Sequence, residues 1–173
     1  MSDIFENLNT NNIAKGVILL HKGDMCKHAY KVISGCLKSY VIDKSGKEHI
    51  LQFAPEDWYI SDMDSFFNYK PSQIFIEAIE KTDYIKIGKT EFENLLNLES
   101  NSAHEQQLKL IRNIISTNKR LIGLLSSTAE ERYSEFIETY PSLVQRIPLK
   151  LIASYIGITP EYLSELRKEI SKK

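Results

Sequence analysis

The sequence predicts an α+β protein, with an antiparallel β-barrel or jelly roll in the N-terminal half and helices from there to the C-terminus. Two patterns predict it. Residues 13–87 contain short runs of strand-forming residues separated by turn signals. After Gly88 the apolar residues recur every three or four positions, which is helical spacing. Several short strands with regular turns are typical of barrels and jelly rolls.

Turn-forming residues separate the predicted strands. Lys22-Gly23-Asp24, Gly35 and Asp43-Lys44-Ser45-Gly46 favour chain reversals, and Pro55-Glu56-Asp57 interrupts the strand pattern. Between these breaks, apolar residues are mixed with β-branched and aromatic ones, which strands prefer. The predicted strands are Val17–His21, His28–Ser34, Leu37–Ile42, Glu48–Phe53, Ile74–Ile79 and Tyr84–Ile87.

Helices account for the rest of the chain. A short helix is expected over Glu91–Leu98, with Thr90 as its N-cap, and a long helix over Ser102–Ser126, which holds one Gly and no Pro. Shorter helices follow at Ala129–Thr139, after Pro148 and after Gly157. We therefore expect three units, namely a barrel at 1–100, a connecting helix at 101–127 and a helical domain at 128–173.

The long helix carries a heptad seam, in which the steps alternate between three and four residues. Asn118 in this seam favours a parallel homodimer, because a buried Asn bonds best to its symmetry mate. A second apolar line runs through Leu110, Ile114, Leu121 and Leu124, so one line can pack on the chain's own domains while the other meets a partner helix. The alternative is one broad core-facing helix in a monomer. The predicted dimer interface is Leu108, Ile111, Ile115, Asn118, Ile122 and Leu125.

The composition is that of an ordinary globular protein, with 42% hydrophobic and 26% charged residues and a net charge of −1. A protein that only coats nucleic acid is usually basic, so that class is disfavoured. Cys26 and Cys36 are too few for a disulfide framework or for the four ligands of an ordinary iron–sulfur cluster. We see no signal peptide and no apolar run of membrane-spanning length, and expect a cytoplasmic protein without a membrane partner.

The segment Leu149–Lys168 has the spacing of a helix-turn-helix. Ala153 is small where two helices would cross, and Gly157 tolerates the positive φ of a tight turn. Thr159 is a good N-cap and Pro160 a good first helical residue. The buried faces would consist of Ile152, Ile156 and Ile158 on one side and Leu163, Leu166 and Ile170 on the other. Leu163 completes the structural set with Ala153 and Gly157. The alternative is a helical hairpin that binds nothing.

The opposite face of the second helix is polar and is the predicted DNA-binding surface. A carboxylate there can accept a hydrogen bond from a cytosine amino group, and basic or hydroxyl groups can reach bases or phosphates. Two carboxylates one turn apart, Glu161 and Glu165, repel phosphate. Residues 141–173 hold six basic and three acidic residues, so the module is modestly basic. The predicted DNA-binding residues are Thr159, Glu161, Tyr162, Ser164, Glu165, Arg167, Lys168 and Lys172.

The order of parts resembles the catabolite-activator (Crp/Fnr) superfamily of transcription regulators over nearly the whole chain. The segments that carry this resemblance are Lys15–Leu19, Lys22–Asp24, Tyr30–Gly35, Gly46–Glu48, Ile74–Ala78, Ile152–Thr159 and Leu163-Ser164. The resemblance implies a double-stranded β-helix (jelly-roll) barrel, a long dimerisation helix and a C-terminal helix-turn-helix domain whose second helix reads DNA.

The chain departs from that family in three places. Cyclic-nucleotide binders carry Gly-Glu and an Arg in a phosphate cassette, but Ile60-Ser61-Asp62-Met63 and Lys70-Pro71-Ser72-Gln73 stand here. Asp62 could replace the Glu, yet no Arg is present to pair with a phosphate. Two cysteines are too few for the iron–sulfur cluster that another branch of this superfamily uses as a sensor. The sequence ends without the β-wing of many relatives, which would weaken DNA binding.

Aromatic residues are dense around this cassette. They can line an effector pocket, for which we name Trp58, Tyr59, Asp62 and Phe66. The alternative is an aromatic-rich barrel core.

Two rival functions remain. A metal-dependent cupin enzyme needs converging His residues, and the four His are scattered, so we expect no metal, no cofactor and no enzyme activity. A ligand-binding sensor module whose helix-turn-helix no longer binds DNA is the second. We expect a homodimeric regulator whose partners are a near-palindromic operator in double-stranded DNA, a second copy of the chain, an unidentified small-molecule effector and, if it activates, RNA polymerase.

Overall fold

The computed structural model describes residues 8–172. Its strands are β1 (Thr10–Ile13), β2 (Ile18–Leu20), β3 (Ala29–Ser34), β4 (Leu37–Ile42), β5 (Glu48–Ala54), β6 (Tyr59–Ile60), β7 (Phe75–Ala78) and β8 (Thr82–Ile87). Its helices are α1 (Met63–Asn68), α2 (Lys89–Asn97), α3 (Asn101–Ser126), α4 (Ala129–Thr139), α5 (Leu149–Ile156) and α6 (Pro160–Ile170). Within 8–172 no helix is apolar enough over a sufficient length to cross a bilayer.

The strands form two four-stranded antiparallel sheets, in the orders β1-β8-β3-β6 and β2-β7-β4-β5. Each sheet is therefore assembled from strands distant in sequence, as in a jelly roll. Side chains such as Val32, Leu37 and Ile76 are completely buried. At the β3–β4 turn, Gly35 has φ 87°, and a Cβ there would collide with the Lys81 carbonyl. The predicted jelly-roll barrel is confirmed.

Three short elements in the barrel escaped the sequence analysis, namely β1, β6 and α1. Asp62 marks the start of α1, because its carboxylate accepts a hydrogen bond from the Ser65 backbone N–H. An Asp before a helix is a recognisable capping signal. The predicted cap of α2 was wrong, since that helix begins at Lys89 after Gly88, and Thr90 lies inside it.

The inner face of α3 is polar. Tyr59 donates its hydroxyl to the Gln106 side chain at 2.8 Å, and the Asn113 amide donates to the Tyr59 carbonyl. Arg120 donates to the Ile50 carbonyl at 2.7 Å. Of the second apolar line, Leu110 packs against the core and Leu124 lies against Gly157, whereas Ile114 and Leu121 are 61% and 55% exposed. The expectation that this line packs on the chain's own domains therefore holds only in part. Hydrogen-bonding side chains of α3 contact the barrel where that apolar line was expected.

The C-terminal helices pack on the barrel through aromatic rings. Phe53 of β5 is completely buried and lies 5.4–6.1 Å, centroid to centroid, from the rings of Phe136, Tyr140 and Tyr155. Trp58 stacks at an angle on Tyr140 at 5.0 Å. These rings make the barrel and the C-terminal helices share one hydrophobic core.

An ion-pair cluster lies beside this aromatic contact. Arg146, between α4 and α5, donates to both carboxylate oxygens of Glu56 and pairs with Glu80. Partial burial opposes ionisation of Glu56, but its bonds from Arg146 prevail and hold the pKa of Glu56 below its usual value. The three charges therefore join the C-terminal domain to two barrel loops.

Phe53→Ala tests how far this shared core stabilises the fold. We expect the free energy of unfolding to fall by about 3–5 kcal/mol, because the change leaves a cavity among three rings. Urea unfolding at one fixed protein concentration measures it. Leu98→Ala, at a 47% exposed position, should change stability by less than about 0.5 kcal/mol. Equal effects of the two substitutions would contradict a shared core.

Candidate nucleic-acid interface

The turn between α5 and α6 has the geometry that its residues predict. Gly157 ends α5 in the left-handed region with φ 74°, and its N–H and that of Ile158 both point to the Ala153 carbonyl. Thr159 caps α6, accepting a hydrogen bond from the Tyr162 N–H at 3.2 Å. Pro160 is the first residue of α6. The two helices are thus joined by a short, hydrogen-bonded turn.

The facing sides of α5 and α6 are buried against each other. Ala153 and Leu163 are completely buried, and Leu166 is 4% exposed. Small and apolar side chains therefore form the contact between the helices, and the opposite face of α6 is left to solvent.

The solvent face of α6 carries the polar side chains named from the sequence. Tyr162 is 49% exposed. The Ser164 hydroxyl donates to the Pro160 carbonyl, so it can only accept from a ligand. The Thr159 hydroxyl accepts the cap hydrogen bond, which leaves its O–H able to donate. The remaining five, Glu161, Glu165, Arg167, Lys168 and Lys172, are exposed, and none forms an ion pair with another residue of 8–172.

Not every basic residue of the C-terminal domain is available to a ligand. Arg146 contributes to the positive charge counted from the sequence, but both Glu56 and Glu80 neutralise it. The charge that α6 can present to phosphate therefore comes from Arg167, Lys168 and Lys172, opposed by its own carboxylates.

The outer face of α3 is an apolar ridge without a partner within the described part of the chain. The five apolar residues of the heptad seam, Leu108, Ile111, Ile115, Ile122 and Leu125, are between 49% and 80% exposed. Asn118 lies exposed among them. A ridge of this length on a helix is typical of a protein–protein contact.

The four residues named for an effector pocket do not lie together. Trp58 faces the C-terminal domain, between Tyr140 and Arg112. The Asp62 carboxylate is used by the Ser65 N–H, the Ser72 hydroxyl and the Gln73 N–H. Phe66 packs on Phe67 and Phe92. Of the four, only Tyr59 lines a cavity next to α3. The capped helix α1 directs Asp62 and Phe66 elsewhere.

That cavity lies between the barrel and the middle of α3 and has a volume of about 440 Å³. Its apolar walls include Met63, Phe67, Phe92 and Leu96, and its polar groups come from Gln52, Ser61 and α3. No charged residue of the described chain lines it. Asn113 and Thr117 of α3 are the signal that the sequence analysis missed, since they interrupt the apolar pattern of the helix, and Asn118 was assigned only to the dimer seam.

The two cysteine side chains lie inside the fold. Cys26 and Cys36 are both buried, and they form no disulfide. Burial raises the pKa of the Cys36 thiol far above its usual value. Among residues 8–172, no three His, Cys, Asp or Glu side chains are grouped to hold a metal ion.

Comparisons with known proteins agree with this geometry. Residues 10–99 match the family described as cyclic nucleotide-binding domain. The fumarate and nitrate reduction regulatory protein of Salmonella typhi is 30% identical over 92% of this chain and 68% of its own length. The chain belongs to the Crp/Fnr family. The regulatory protein HlyX of Actinobacillus pleuropneumoniae is 28% identical over 92% of this Crp/Fnr chain and 70% of its own length. These relatives are regulators rather than enzymes.

Solved structures show the same fold. FixK2 from Bradyrhizobium japonicum superposes with a TM-score of 0.76 at 17% identity, covering 95% of this chain and 85% of that one. A CRP/FNR-family transcriptional regulator from Thermus thermophilus has a TM-score of 0.67 at 14% identity, covering 95% of this chain and 86% of that one. The Crp/Fnr chain spans 62–70% of the length of the first curated relatives.

Ile115→Asp tests the apolar ridge of this Crp/Fnr chain. We expect a dimer to become a monomer, because two carboxylates would be buried face to face in the seam. Light scattering measures the mass of each form. Val17→Asp, an exposed apolar residue of the barrel, should leave the mass unchanged. A dimer that survives Ile115→Asp would place the interface elsewhere.

Proposed function

We propose that this protein is a homodimeric transcription regulator that inserts α6 of each copy into successive major grooves of a near-palindromic operator. The observation that carries the proposal is the exposed, polar face of α6, whose charged side chains form no ion pair within residues 8–172, on a hydrogen-bonded helix-turn-helix. The membership of the Crp/Fnr family supports it. In such a dimer the two recognition helices lie about 34 Å apart.

The dimer part of the proposal rests on α3. The apolar residues of its seam are 49% to 80% exposed on a single copy, so packing against a symmetric partner would remove much apolar surface from water. A parallel pairing would place Asn118 against Asn118 and fix the register of the two helices. The predicted interface residues all lie on this one ridge.

The residues of α6 would then divide by role. Lys168, Arg167 and Lys172 contact phosphates, because their charges are free. Glu161, at the N-terminal end of α6, reads the base edge by accepting from a cytosine amino group. Tyr162 and Ser164 add contacts, and Glu165 lowers affinity for unrelated DNA. Thr159 acts as the cap that orients the first turn.

The same proposal includes control by a small-molecule effector in the cavity beside α3. Its uncharged lining favours a mostly apolar ligand over an anionic cyclic nucleotide. Asn118 belongs both to this cavity and to the predicted seam. Occupancy of the cavity would therefore act on the dimer contact directly. We place the protein in the cytoplasm, with RNA polymerase as a further partner if it activates.

A DNA titration tests the proposal. Fragments from upstream of its own gene and of neighbouring genes, labelled for fluorescence anisotropy, are titrated with the full chain in excess competitor DNA near physiological salt. Binding that resists competitor and weakens with salt is expected. Failure across genome-wide fragments would favour the alternative, a ligand-binding module that no longer reads DNA.

Lys168→Ala should weaken binding to all sequences alike. Each copy of the dimer loses one phosphate contact, so the magnitude of the slope of log affinity against log salt should fall by about 2. Lys44→Ala, in the exposed β4–β5 turn, is the matched control and should leave the slope unchanged. An unchanged slope for Lys168→Ala would remove this residue from the interface.

Glu161→Ala should change sequence preference rather than general affinity. The discrimination at one base pair should fall by about 1–3 kcal/mol, the energy of a direct base contact. Competition among operators substituted at single positions measures it. A uniform loss across all positions would show that Glu161 does not read a base.

A further inference from the structure

A second cavity, of about 370 Å³, lies at the junction of α3, α4 and α5, away from the cavity beside the barrel. The C-terminal half of α3 forms one wall, and α4 and the end of α5 form the other. Apolar side chains of Ile122, Leu124, Phe136 and Ile156 line part of it. Three cationic side chains and two carboxylates line the rest.

Two arginines in this cavity, one from α3 and one from α4, donate to neighbouring carbonyls at the end of α5. Arg120 Nε donates to the Tyr155 carbonyl at 2.9 Å, and Arg132 Nε donates to the Ile156 carbonyl at 2.7 Å. Each guanidinium makes one further bond, again to a backbone carbonyl, of Ile50 and Ser127 respectively. The C-terminus of a helix carries only about half a negative charge, so it offsets two guanidinium charges incompletely.

The carboxylates of the cavity do not neutralise these arginines. Glu131 is held by the N-cap of α4, where its side chain accepts from the Thr128 N–H and hydroxyl. Glu135 pairs with Lys119 at 3.4 Å. Within residues 8–172, neither Arg120 nor Arg132 forms an ion pair. Burial lowers the pKa of Arg120, in agreement with a guanidinium that lacks a carboxylate partner.

Donor groups remain free on both side chains. Arg120 Nη1 and Arg132 Nη2 donate to no residue of the described chain. A guanidinium can hold a carboxylate or a phosphate through two parallel hydrogen bonds. Arg120 also stacks on the Tyr155 ring at 4.4 Å, which holds its plane in place. The two free ends and the apolar wall form a site with one charged and one apolar part.

We propose that this junction cavity binds a small organic anion, a carboxylate or a phosphate ester, whose charged group lies between Arg120 and Arg132 and whose apolar part contacts Leu124 and Ile156. The bound anion would tie α3, α4 and α5 together, and so fix the helix-turn-helix relative to the long helix. This site is independent of the effector cavity and of the face of α6 that meets DNA.

Calorimetric titration of the full chain with four probes tests the site. Benzoate and phenyl phosphate carry both an anion and an apolar group, benzamide is the neutral analogue, and inorganic phosphate lacks the apolar group. At least one of the two organic anions should bind once per chain with a dissociation constant below about 1 mM. Benzamide and inorganic phosphate should bind at least about tenfold more weakly. The preferred organic anion distinguishes carboxylate from phosphate.

Variants locate the bound anion. Arg120→Gln and Arg132→Gln should each weaken binding about tenfold or more, and Arg120→Lys less, because it keeps the charge without the planar fork. Lys44→Gln removes a charge in the barrel turn and should change nothing. Thermal unfolding and circular dichroism test whether each variant is folded. If Arg120→Gln does not fold, Arg132→Gln provides the test.

Three results would overturn the site: no heat from either organic anion at about 10 mM, equal binding of benzamide, or unchanged affinity in folded arginine variants. All titrations are made without DNA, so a failure to bind operators leaves this result unaffected.

Discussion

Strand β5 lies at the edge of its sheet. Its free backbone N–H and C=O groups form hydrogen bonds with side chains of α3 and α5, and these bonds connect the barrel to the helices. The Ser154 hydroxyl of α5 donates to the Glu48 carbonyl and accepts from the Ile50 N–H. Arg120 of α3 donates to the Ile50 carbonyl. An uncovered edge would invite pairing with other chains, and here the long helix and the helix-turn-helix both close it. The position of α5 against the barrel follows from these bonds.

Arg120 joins three parts of the protein. Its guanidinium bonds the barrel edge and the last turn of α5, while its backbone belongs to α3. Because α3 meets the barrel with polar side chains, its apolar residues are left on the outer face. The inner polar contacts and the outer apolar ridge are therefore two parts of one sequence pattern.

The adjacent aromatic residues Trp58 and Tyr59 pack in different parts of the structure. Trp58 directly precedes Tyr59, the first residue of β6, and successive side chains of an extended chain point to opposite faces. Trp58 accordingly meets Tyr140 of the C-terminal domain, whereas Tyr59 faces α3 and its cavity. Density of aromatic residues in the sequence cannot distinguish a pocket from a domain contact, because both need the same side chains. The N-cap role of Asp62, by contrast, is a local signal that the sequence contained, although α1 was not predicted from it.

The sequence by itself determined the jelly roll, the long helix and the turn of the helix-turn-helix, because local rules govern these features. Gly157 supplies positive φ, Thr159 supplies a cap, and the turn residues of the barrel separate strands of alternating pattern. Only the tertiary structure decided which face of α3 is inward, that Arg146 is neutralised by Glu56 and Glu80, and that Arg120 and Arg132 meet at the end of α5. Those outcomes depend on residues far apart in the chain, and their pairing is set by how the domains pack rather than by any local preference.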